Sequence, residues 1–73
     1  MTRFTDDAGR AWDVVLGRES WGTLVALFVP VDGGAPRQAV LPAASHDEAQ
    51  RALDGMDVAG LRELLRTSTE KGE

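Results

Sequence analysis

A change of hydrophobic period at Pro42 constrains the fold of this chain more than any other feature. Before it, apolar residues alternate or run together, most densely over residues 21–29 (WGTLVALFV). After it they recur at helical spacing, as at Ala49, Ala52, Leu53 and Met56. Strands followed by helices satisfy both periods, which predicts an α+β fold. The expected form is a four-stranded antiparallel sheet, a meander of hairpins, followed by two short C-terminal helices packed on one face.

The strands are expected at residues 3–5, 10–16, 21–29 and 37–41. Asp6-Asp7-Ala8-Gly9 suits the first hairpin, because Asp bonds back to nearby amides and Gly accepts positive φ. In the second strand Trp12, Val14 and Leu16 share a face and Asp13 takes the other. Gly17-Arg18-Glu19-Ser20 reads as the next turn. Residues 30–36, with Asp32-Gly33-Gly34 inside, form a longer hairpin loop, and Pro42 closes the last strand.

Ser45-His46-Asp47-Glu48 fits a capping box, with Glu48 reaching back to the Ser45 amide. An unbroken helix from there to Arg66 would point Val58, Leu61 and Leu65 away from the stripe of Ala49, Leu53, Met56 and Leu64. A break at Gly55, with Asp57 capping a new start, predicts helices over about 46–54 and 58–67. Residues 67–73 lack apolar anchors and are expected to fray at the end of one small domain spanning 1–73.

A chain of 73 residues buries only roughly 60% of the surface that its unfolded form exposes, which leaves room for one modest core and no deep enclosed site. It contains no Cys and one His, so disulfides and thiolate sites are excluded and a metal site has few ligands to draw on. Eight basic residues stand against twelve acidic ones, and the net charge of −4 is divided evenly between the two halves. Such a chain is repelled by phosphate backbones and anionic lipid, so nucleic acid is an unfavoured partner. Seven of the eight basic residues are Arg, which reads as GC-rich coding rather than function. The start of the sequence has no signal-peptide pattern, and its longest apolar run falls far short of a membrane span, which together predict a cytoplasmic protein without a membrane partner.

The polar groups have plain explanations. His46 belongs to the first turn of a helix; Ser45 caps that helix, Ser68 lies in the tail, and Ser20 sits beside Glu19 with no evident base. The carboxylate pairs Asp6/Asp7 and Asp47/Glu48 fall at a turn and at a helix start rather than in a cleft. Asp32-Gly33-Gly34 leads into a strand, whereas a phosphate loop leads into a helix. No catalytic, cofactor-binding or metal-binding residue is therefore predicted, and catalysis is not expected.

The strand over 21–29 is apolar on both faces: Leu24, Ala26 and Phe28 on one, Trp21, Val25, Leu27 and Val29 on the other. Two short helices cover only one face of a sheet, so either the sheet curls into a barrel-like shape that buries the second face or a partner chain covers it, and the partner is the reading preferred. The expected function is thus a non-catalytic protein-interaction module, a homodimer or an accessory subunit of a larger bacterial assembly, with Trp21, Val25, Leu27 and Val29 as the partner-binding residues. The alternative is a small nucleic-acid-associated regulator with Trp12, Arg10, Arg18 and Arg37 as a local patch.

Overall fold

In a computed structural model that describes residues 2–18 and 22–70, the expected α+β architecture is present. Strands β1 (Thr2–Thr5), β2 (Ala11–Arg18), β3 (Leu24–Pro30) and β4 (Arg37–Val40) are followed by helices α1 (His46–Asp54) and α2 (Val58–Thr67) and a two-residue strand β5 (Thr69–Glu70). The sheet order is β1-β2-β3-β4-β5, and every neighbouring pair is antiparallel. No helix among the described residues is long and apolar enough to cross a membrane.

Turn chemistry sets the first hairpin. Asp6 Oδ1 accepts from the amides of Ala8 and Arg10, both at 2.9 Å, and Gly9 takes φ +86°. The β2 strand runs two residues further than its apolar pattern suggests, because Gly17 and Arg18 pair with Val25 and Leu24. Glu19, Ser20 and Trp21, expected in a turn and at a strand start, lie outside the described residues.

Register puts Phe4, Trp12, Val14, Leu24, Ala26, Phe28 and Ala39 on one side of the sheet, where Ala49 and Leu53 of α1 and Leu61 of α2 close the core. Phe28 is fully buried at its centre, its ring edge-on to Phe4 with centroids 6.0 Å apart. Both helices therefore cover the Leu24, Ala26 and Phe28 face of β3.

The helix break falls where the two apolar stripes require it. Ser45 Oγ accepts from the Glu48 amide at 3.2 Å, and Asp57 Oδ1 accepts from the Gly60 amide at 2.8 Å. Glu48 departs from the expected box: its carboxylate takes the Ala44 amide at 3.0 Å, one residue before Ser45. Within the tail expected to fray from residue 67, Thr67 ends α2 and Thr69–Glu70 form β5. Arg37 donates from Nε to Ser68 Oγ at 2.8 Å and from Nη2 to the Ser68 carbonyl at 2.6 Å, and this clasp docks β5 on β4. A polar side chain anchors the segment, so an apolar pattern does not reveal it; residues 71–73 lie outside the description.

Phe28→Ala should cost about 3–5 kcal/mol, most of the stability of a domain this small, read as a collapse of the urea midpoint. Asp57→Ala should cost about 1 kcal/mol by loss of the cap, with cooperative unfolding retained.

Candidate functional site: the outer face of the sheet

The side of the sheet away from the helices is organised by β3. Val25, Leu27 and Val29 point there, and register sets Gly17, Val15 and Asp13 of β2 beside them in turn, with Val40 and Gln38 of β4 beside Val25 and Leu27. Gly17 determines the local packing. A Cβ at this position would lie 2.6 Å from Leu27 Cδ1 and 3.3 Å from Val25 Cγ2, so its absence lets both side chains close over the strand.

The expected partner-binding residues consequently divide. Val25 is 2% exposed and so presents nothing to a partner; Leu27 is half-buried; Val29 is 43% exposed. Trp21 lies outside the described residues. Among the described residues the most exposed apolar side chain on this face is Val40, at 65%, which the strand pattern alone does not single out. Its signal is parity: in a strand over 37–41, Gln38 and Val40 oppose Ala39 and Leu41, and hairpin register with β3 assigns them to the outer side.

Among the described residues the charged side chains of this face are Arg3 and Asp13, cross-strand partners at one margin. Arg3 Nε and Nη2 donate to the two Asp13 oxygens at 2.8 and 3.3 Å. The pairing raises the Arg3 pKa and holds the Asp13 carboxyl below the ordinary 3.8, mainly through the hydrogen bond. Gln38 and Thr69 make the opposite margin polar. The face thus has an apolar centre and polar margins.

Among the described residues the remaining polar candidates do not converge. His46 is exposed at the start of α1 and lines a cleft of about 190 Å³ with Thr2, Gln50 and Leu53. Ser45 caps α1, and Ser68 is held in the Arg37 clasp. Among the described residues no three His, Asp or Glu side chains gather as metal ligands would. Glu19 and Ser20 lie outside the described residues.

Arg10, Trp12, Arg18 and Arg37 are dispersed. The Arg10 guanidinium lies 4.8 Å from the Trp12 ring centroid and donates to the Gly33 carbonyl and to Asp32. Trp12 is 4% exposed, which leaves no ring face for a stacked base. Arg18, at the far end of β2, is about 20 Å from Trp12 along the strand, and Arg37 is committed to Ser68. No protein-family model matches the chain, and neither a curated protein nor a solved structure matches it.

Asp6 is the most heavily bonded carboxylate outside this face. It receives the Trp12 indole N–H at 2.8 Å as well as two amides, and these bonds, the indole first, hold its pKa below 3.8. A carboxyl with a lower pKa in the folded chain adds stability above its unfolded pKa and loses it as pH falls through the folded value. Asp6→Asn should therefore be less stable than the parent at neutral pH, with the gap closing from about pH 4 downward, as followed by urea denaturation at each pH.

Proposed function

We propose that this chain is a non-catalytic protein-interaction module that presents the outer face of its sheet to a protein partner, either a second copy or a larger assembly in the cytoplasm. The observation that carries this reading is the exposure of Val29 and Val40 around Leu27 on a face that the helices leave uncovered. Solvated sheet faces are ordinarily lined with polar side chains, whereas this one is polar only at its margins. The paired state of Arg3 and Asp13 supports the same reading, because a neutral rim presents no net charge to be desolvated when another protein closes over it.

The test is capture on tagged chain of proteins from the native lysate and of untagged copies of the chain itself, with Val29→Asp as the comparison bait. Val29 is partly exposed, so the substitution should leave the urea midpoint nearly unchanged while reducing specific capture at least tenfold. Equal recovery on the two baits, or no specific recovery on either, would refute the proposal.

A further inference from the structure

We propose that the open edge of β2 over residues 15–18 binds an extended peptide of a partner protein, which joins the sheet antiparallel to β2, in line with β1, and seats one apolar side chain in the cleft beside α1. The site is separate from the outer face and does not rest on the reading above.

The backbone supplies the first argument. Antiparallel partners exchange hydrogen bonds at alternate pairs, so successive residues of a strand turn their N–H and C=O groups to opposite sides. The Val31 amide donates to the Ala11 carbonyl at 3.0 Å, which turns the odd-numbered residues of β2 towards β3. The Asp6 amide donates to the Arg10 carbonyl at 2.8 Å, which turns the even-numbered ones towards β1. Phe4 and Thr2 lie opposite Trp12 and Val14, and Leu16 and Arg18 come next on that side. Among the described residues no strand pairs with either. Their amides and carbonyls therefore point out of the sheet at strand spacing, and the partner that satisfies such a row is another extended backbone. Arg18 is the one charge over residues 15–18 and there is no proline, so the usual devices that blunt an edge are sparse.

The cleft supplies the second. Its volume is about 190 Å³, and Thr2, Leu16, His46, Gln50, Leu53 and Leu61 are among its walls. Directly opposed residues of a sheet share a face, and Leu16 packs against the core on the side that the helices cover. A strand continuing the line of β1 sets the residue opposite Leu16 on that same side, next to Thr2 and facing α1. A cavity of roughly 150 Å³ admits a benzene molecule, so this one has room for a Val or Leu side chain. Backbone and cleft thus select one ligand chemistry, an extended segment with an apolar residue opposite Leu16.

A second copy of the chain fits this edge poorly. Val14 is taken by Thr2, so two β2 edges related by a two-fold axis must set Leu16 of one copy opposite Arg18 of the other, which brings a charged side chain to the cleft. Each copy also carries a net −4, which opposes the pairing and favours a peptide with a basic residue.

The probe is a capped peptide, Lys-Val-Thr-Val-Thr, whose alternation sets both valines on the side of Leu16. It is titrated to millimolar concentration into the 15N-labelled chain and followed by amide shifts and hydrogen exchange. The Leu16 and Arg18 amides should shift and exchange at least tenfold more slowly, while the Gly17 amide, already directed at β3, should keep its rate. The same peptide N-methylated at both valines should not bind, because it cannot donate to the Leu16 and Arg18 carbonyls. Gln50→Trp, which fills the cleft from α1, should weaken binding at least tenfold; if that variant unfolds, the two peptides still decide. No shift at millimolar peptide, shifts centred on Val29 and Val40 instead of Leu16, or equal binding of the methylated peptide overturns the proposal. Protection of Leu16 and Arg18 that rises with chain concentration in the absence of peptide identifies a second copy as the occupant and overturns it as well.

Discussion

The structure depends on an imbalance between one strand and the helical material available to cover it. β3 is apolar on both faces and central in the sheet, while α1 and α2 together hold 19 residues. At 1.5 Å per residue they are about 14 and 15 Å long, which is enough to cover roughly one face of a five-stranded sheet. That roof is spent on the face with Phe28 and Ala26, where 0% exposure is reached. Neither helix covers the opposite face, where Val25 is nonetheless buried. Gly17 lets Leu27 and Val25 sink, and Arg3 and Asp13 occupy the corner beside Val29.

Much of this was legible in the residues. The switch of period at Pro42 separates sheet from helices, and the conflict of stripes in an unbroken helix places the break at Gly55 and the new start at Asp57, where both are found. The doubly apolar strand was equally plain, because five of the seven residues of β3 are Leu, Val or Phe. The choice of covered face was not visible in that strand alone. It follows from pairing, since Leu24, Ala26 and Phe28 fall beside Arg18, Leu16 and Val14 of β2, and Val14 continues the Trp12 side that the helices cover.

What escaped the sequence is carried by polar or missing side chains. β5 exists because Arg37 on β4 reaches the oxygens of Ser68, 31 positions along the chain, and no local pattern announces such a bond. Gly17 resembles a turn glycine, yet it is a strand residue whose value is the volume it leaves to Leu27. Val25 reads like any outward valine until that collapse is known, and then it becomes part of the support. The exposed members of the site, Val29 and Val40, come from different strands and become neighbours of one surface only through the β3–β4 register. A face of this kind is a property of pairing, and a linear pattern displays only half of it.

The edges of the sheet bear on how such a face is used. Long open edges invite strand addition and unlimited growth. Here β1 has four residues and its Thr5 carbonyl accepts from Arg62 Nε of α2 at 2.8 Å, while the other edge is β5, two residues long and clasped through Arg37. Both edges are short and each is tied to the body of the molecule by an arginine. Among the described residues β1 covers only residues 11–14 of β2 and β5 only residues 37–38 of β4, so the rest of those two strands forms the remaining edge of the sheet.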